Sequence, residues 1–308
     1  MNNIARKILL IIAVPVFLFS SVMVLKYRCE MQDSIEYAES VTQLVVTFSE
    51  ESTVTAPTNL SVKEETYIAP MQTTETIMDE EEHIEPMQTT ETIVDEEEHI
   101  EPMQTPESVD EEVYEICPIQ VDFDALRKKN KDVVAWIYCP DTPINYPVVQ
   151  AADNDYYIHR LLDGRINASG TLFMDYQNSA DLSDWNSLIY GHNMKNGTMF
   201  GYLPHYKKQS YFEDHPKMFL LTPEQNYMVE IMSGFVTQAD AELYKNFSPD
   251  AEKKEPLVQS WLENADVVSG VYPSSEDRFI TLSTCSYEYD DARYVLIGVL
   301  KELNDGQE

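Results

Sequence analysis

The C-terminal part of the chain, residues 114–308, is predicted to be mainly β: an eight-stranded, closed or nearly closed barrel. Three observations predict it. Eight short runs are rich in β-branched and aromatic residues: "VVAWIYC", "NYPVVQ", "GTLFMDY", "SLIYGH", "MFLLT", "YMVEIMSGFV", "FITLSTC" and "RYVLIGVL". Such runs favour pleated, half-buried strands. Turn formers separate them, among them "PDTP", "LDGR", "MKNG" and "PSSEDR", and that punctuation fixes the run ends. Finally, this many short strands avoid exposed edges by closing on themselves.

The remaining elements follow in chain order. "ILLIIAVPVFLFSSVMVL", residues 8–25, carries no charge and is flanked by Arg6, Lys7, Lys26 and Arg28. Eighteen apolar or small residues suffice to cross a bilayer core as a helix. No small-x-small cleavage site follows, so the stretch predicts an uncleaved anchor over 1–29, with everything after residue 30 outside. A buried core helix is the alternative.

Residues 30–113 read as an acidic spacer. "IAPMQTTETIMDEEEH" (68–83) recurs as "IEPMQTTETIVDEEEH" (84–99) and decays into "IEPMQTPESVDEE" (100–112). Proline in each unit, dense carboxylates and scarce aromatics argue against a packed core. The formal net charge is −33, and about −20 of it falls within residues 50–116, which hold 21 acidic residues and the single base Lys63. The expected role is a stalk lifting a domain from the membrane; a linker whose sequence hardly matters is the other reading. No Lys/Arg cluster suggests a nucleic-acid partner.

Beyond the spacer, "VDFDALRKKNKDVV" has near-helical spacing, "NDYYIHRLL" reads as a helix, and "SPDAEKKEPLVQSWLENA" (248–265) is a longer one. In the last, Ser248 and Pro249 mark the start, and Leu257, Trp261 and Leu262 share a face.

Chemistry concentrates at three residues. Cys285 ends one strand run, Arg293 opens the next, and His192 follows "SLIYG". Each alone has a bland reading: a buried inert thiol, an ion pair with Asp290 or Asp291, a solvated histidine. Together they suggest acyl transfer. A neighbouring cation favours the thiolate, a histidine moves the amine proton, and an arginine holds a developing oxyanion. A hairpin through "SYEYDD" brings Cys285 and Arg293 to neighbouring positions. The cysteines Cys29, Cys117, Cys139 and Cys285 form no CxxC pair or zinc spacing, so no metal is expected. Cys117 with Cys139 is the one disulfide to consider.

"TLSTC" with an arginine eight residues on, preceded by "LIYGHNMKNGTMFGYL" and by "AWIYCPDTPINYPVVQAADNDYYIHRLLDG", resembles the class B sortases, extracellular cysteine transpeptidases of Gram-positive bacteria. The resemblance spans about residues 118–302 and implies a sortase-type eight-stranded barrel, with N-terminal helices and a long helix before the last strands. It implies Cys285 as nucleophile, His192 as catalytic histidine and Arg293 as catalytic arginine. Ser283, Asn154 and Ile158 fall at substrate-groove positions, and the Ser286 amide is a second oxyanion donor by its place after the nucleophile. The implied partners are surface proteins bearing a sorting signal of NPxTN or xPxTG type and a peptidoglycan-precursor amine. The implied location is the cell membrane, single-pass, with an extracellular domain and no cofactor. A hydrolase using the same site, a pilin-polymerising sortase and a non-enzymatic wall-spanning adhesin are the alternatives.

Overall fold

The computed structural model describes residues 3–48, 117–245 and 247–303, with side chains from residue 14 onward. Its N-terminal helix α1 spans Asn3–Val45 and leads into β1 (Val46–Phe48); β2 (Ile119–Val121) and α2 (Phe123–Lys129) precede the barrel. The barrel strands are β3 (Val133–Tyr138), β4 (Asn145–Val149), β5 (Leu172–Met174), β6 (Asn186–Tyr190), β7 (Lys217–Leu221), β8 (Asn226–Gln238), β9 (Phe279–Cys285) and β10 (Ala292–Glu302). Helix α3 (Gln209–Asp214) lies between β6 and β7, and α4 (Ala251–Glu263) between β8 and β9. The eight strands close in the order β10-β8-β7-β3-β4-β5-β6-β9. The β4–β5 and β6–β9 pairs are parallel and the others antiparallel.

Three apolar clusters follow from strand alternation. One draws on every barrel strand, through Ile137, Val148, Leu172, Ile189, Leu220, Val229, Leu282 and Leu296, and is the barrel interior. A second joins Val41 and Val45 of α1 and Leu126 of α2 to the outward faces of β3 and β7 at Trp136 and Phe219. The third packs Val258 and Trp261 of α4 against Phe279, Val295, Ile297 and Val299 on the outside of β9 and β10. Helix α4 therefore covers the outer face of the C-terminal hairpin, and where its cover stops the hairpin is open.

The N-terminal region differs from expectation. The sequence predicts a spacer from residue 30, yet α1 continues to Val45 and docks on the barrel domain, burying Met31, Ser34, Val41 and Val45. Asn167 Nδ2 donates to Glu30 O at 3.0 Å, the Ser34 and Ser169 hydroxyls meet at 2.9 Å, and Arg165 pairs with Asp33 at 3.1 Å. Carboxylates at Glu30, Asp33, Glu36 and Glu39 resemble the spacer, but the apolar positions among them keep helical spacing.

The stalk reading is corrected by strand pairing. β1 runs antiparallel to β2, with Val46 opposite Val121 and Phe48 opposite Ile119. The two ends of the segment between them therefore meet on one small sheet, and the segment does not separate α1 from the domain. The repeats themselves lie outside the described residues. So do side chains 3–13, on which the 8–25 anchor partly falls; among the described residues no helix is long and apolar enough to cross a membrane.

A chain begun at residue 114 is expected to unfold more than about 10 °C below one begun at residue 26. It loses Met31, Val41, Val45 and Val46, each worth roughly 1.5–3 kcal/mol of burial, and about 1 kcal/mol moves the Tm of a domain this size by 2–4 °C. Equal melting temperatures in calorimetry would refute the docking of α1.

Candidate active site

The site is built at the open end of the β9–β10 hairpin. Arg293 lies directly opposite Cys285, and the next pair, Ser286 N–H to Ala292 O at 2.9 Å, closes the ladder. Hydrogen-bonded and non-bonded pairs alternate in an antiparallel ladder, so Cys285 and Arg293 form a non-bonded pair. There the backbones approach to about 4.5 Å and the side chains are closest. Alternation puts both on the outer face, in the rows that α4 covers lower down at Phe279 and Val299.

Strand β6 brings the third residue. It runs parallel to β9 with Tyr190 opposite Ser283, and Gly191 N–H continues the ladder to Ser283 O at 3.1 Å. Gly191 is required by close approach, since a Cβ there would lie 2.3 Å from Leu172 Cδ2 and 2.7 Å from Phe200 Cδ2. His192 comes next, held to the cysteine strand by two bonds. Thr284 Oγ1 donates to Gly191 O at 2.8 Å, and Asn193 Nδ2 donates to Cys285 O at 2.9 Å. Cys285, His192, Arg293, Ser283, Asn154 and Ile158 all line one cavity of about 300 Å³.

Within it the electrostatics are uneven. Burial pushes the His192 pKa down, the Ile158 carbonyl partly opposes this, and the charge of neighbouring His159 adds to the depression. The Ile158 carbonyl accepts from His192 Nε2 at 2.7 Å. A carbonyl only accepts, so the neutral ring carries its proton on Nε2. The Arg293 guanidinium donates to Ala292 O at 3.0 Å, and none of the ion pairs among the described residues includes it. The pairing with Asp290 or Asp291 weighed from sequence is therefore not formed, and Arg293 lines the same cavity as Cys285.

A family profile described as "Sortase domain" matches residues 137–301, more than half of the chain. The chain belongs to the sortase family. It is 38% identical to sortase B of Listeria monocytogenes over 177 residues, which is 57% of this chain and 72% of the relative. A Staphylococcus aureus sortase B–substrate complex superposes with a TM-score of 0.56 at 28% identity, covering 59% of this chain and 85% of that one. The S. aureus enzyme complexed with triglycine superposes with the same TM-score and identity, covering 59% and 86%. This places the chain on the class B branch, and it is a cysteine transpeptidase.

The sortase site contains residues that the sequence did not single out. Asp175, buried, accepts from Tyr190 Oη and from Asn154 Nδ2, both at 2.9 Å, while Asn154 Oδ1 accepts from Tyr176 N–H at 3.0 Å. Asn154 thus acts mainly as a braced wall. The Tyr244 hydroxyl meets Ser283 Oγ at 2.8 Å, and burial pushes the Tyr244 pKa up to about 12, so it stays a neutral phenol. Tyr244 sits in the link before α4, where no local pattern marks it; Asn193 directly follows His192, and its own sequence neighbourhood carries no sign of the bond to Cys285 O.

One expectation fails. The Ser286 amide is committed to Ala292 O, so it is not free to hold an oxyanion, and its hydroxyl donates to Glu288, which Lys207 also binds. Being one residue past Cys285, it falls on the bonded step of the ladder. Ser286 does not line the cavity. Nor do Cys117 and Cys139 pair: Cys139 Sγ is buried beside Tyr206 Oη at 3.7 Å with no disulfide.

Proposed function

We propose that this transpeptidase cleaves a C-terminal sorting signal through a thioacyl-enzyme on Cys285 and passes the acyl group to a cell-wall amine. The observation that carries the reading is the direct opposition of Cys285 and Arg293 at a cavity that His192 also lines. The Cys285 thiolate attacks the carbonyl carbon of the signal's penultimate residue, and Arg293 holds the oxyanion. As the carbon–nitrogen bond breaks, the departing amine takes from His192 the proton that the ring received when the Cys285 thiol ionised. Nδ1 is the nitrogen left for this, because Nε2 is tied to Ile158. An incoming amine then attacks the thioester, gives its proton to His192 and releases the thiolate. Complexes of the S. aureus relative with a substrate and with triglycine support a signal-bearing substrate and an amine acceptor in general.

The reading includes a single-pass anchor with the domain outside. Its support is the uncharged run 8–25 and the exposed apolar side chains from Val14 to Leu25, which water does not favour.

The test uses the full chain in detergent with quenched peptides carrying NPxTN or xPxTG cores, with and without triglycine, followed by mass spectrometry. A Cys285 acyl adduct that resolves onto the amine is expected. Release of the free acid alone at saturating amine would mark a hydrolase instead. The depressed His192 pKa sets the sign of the pH dependence. The acceptor step needs neutral His192 as well as a free amine, so its rate per free amine, after correction for an α-amino pKa of about 7.7–8.0, falls only as pH drops below a midpoint lying under the ordinary histidine value of about 6.5. A midpoint at or above that value in single-turnover aminolysis would contradict the assignment.

A further inference from the structure

We propose that His159 is a positioning residue for His192, a ring that backs the catalytic imidazole and holds it in one orientation. This rests on the role given to His192 above. The two rings lie nearly parallel, with centroids 5.6 Å apart and an interplanar angle of 15°. His159 is the last residue of a 3₁₀ turn, Tyr156–His159, and the preceding residue supplies the carbonyl that accepts from His192 Nε2. Consecutive residues thus make complementary contacts. The hydrogen bond fixes one edge of the imidazole but permits it to swing about that bond; a parallel ring against its face opposes the swing. Placement at this level matters, because small errors in the position of a proton-transfer group cost large factors in rate.

The turn is fixed from behind. Asn167 N–H donates to His159 O at 3.0 Å, and Thr171 N–H donates to Tyr157 O at 3.1 Å. On its far side His159 is exposed and borders a surface cavity with Asp153, Asp155, Tyr156 and Arg160. Asp153 is occupied by the N–H groups of Asp155 and Tyr156, and Arg160 lies over the Tyr156 ring. From the hairpin, Cys285 and Arg293 face the same cavity as His192. Of these charged groups, His159 is the one that shifts His192, and it does so downward. An aromatic without charge should therefore keep the orientation and release part of the depression.

The experiment compares the full-length wild type with His159→Gln, His159→Phe and His192→Ala in detergent. Thioacyl formation is measured over a range of peptide concentrations up to saturation, and the ¹⁵N-labelled histidine rings are titrated by NMR. For His159→Gln the expected result is a loss of about tenfold in kcat with KM unchanged, and a mixed Nε2/Nδ1 tautomer signal for His192. For His159→Phe the expected result is kcat within about twofold of wild type, a single tautomer, and a His192 midpoint moved up. His159→Gln with wild-type kcat and one tautomer overturns the proposal, as does a His159→Phe variant no better than His159→Gln. Wild-type rates for His192→Ala would sink the reading of His192 itself, and the tautomer signal would then still decide whether His159 orients that ring.

Discussion

Replacing Cys285 with alanine is expected to abolish the acyl adduct and every product, transpeptidated or hydrolysed, with a loss of at least about 10³-fold. The cavity offers no substitute nucleophile. Its other hydroxyls are committed: Ser283 to Tyr244, Thr284 to the Gly191 carbonyl and Thr171 to the Arg160 carbonyl. The fold should tolerate the change. The strand's hold on Asn193 runs through the Cys285 backbone carbonyl, and the side chain is half-buried at the end of a covered row. Intact-mass analysis of enzyme incubated with peptide, beside a thermal melt, checks both statements. Turnover in the variant above a tenth of wild type would remove Cys285 from the mechanism.

Gly170→Ala is expected to damage stability and catalysis together. Gly170 sits at φ +60, and a Cβ there would lie 2.3 Å from Ile158 O and 2.7 Å from Tyr157 O. Both are backbone atoms with little room to yield, so the strain and the clash together should cost about 2–4 kcal/mol. The carbonyl that must move is the one holding His192 Nε2, so kcat should fall even where the variant is fully folded. Gly164→Ala is the control. It shares a positive φ of +83, but its Cβ would find only Tyr156 Oη at 4.0 Å. It should lose about 1 kcal/mol to the backbone alone and keep its activity. Equal activity for the two variants, measured below both melting points, would show that the carbonyl does not position His192.

How much of this was legible depends on range. Each of the eight barrel strands overlaps its predicted run because each is bounded by its own turn residues, and the Cys285–Arg293 opposition was readable because a hairpin is local. Helix α4 was placed at 248–265 and spans Ala251–Glu263, burying Trp261 as expected but Val258 more fully than Leu257 or Leu262. "NDYYIHRLL" gave a single 3₁₀ turn, since Arg160 pairs with Ile166 and ends it. What failed was either parity or distance. Ser286 required knowing which step of the ladder is bonded, which one residue reverses. The continuation of α1 was masked by acidic residues, although Met31, Ala38, Val41 and Val45 keep a helical period. The β1–β2 pair, three residues on each side with 70 between Phe48 and Ile119, leaves no local trace. Asp175 and Tyr244 act through partners far along the chain, and nothing in their own neighbourhoods announces it.

The meeting of β1 and β2 separates two quantities that a stalk would have tied together. On a stalk, each added 16-residue unit would raise the catalytic cleft above the membrane. With the anchor proposed above, the height would be set by α1, where the last residue of the apolar run, Leu25, and the first buried residue, Met31, are six residues apart, about 9 Å of helix. The chain on either side of the repeats is joined at one place, where β1 pairs with β2. Closure entropy grows only as the logarithm of length, so one more unit adds about 0.2 kcal/mol. On that proposal, copy number could drift while the reach of the enzyme stayed constant.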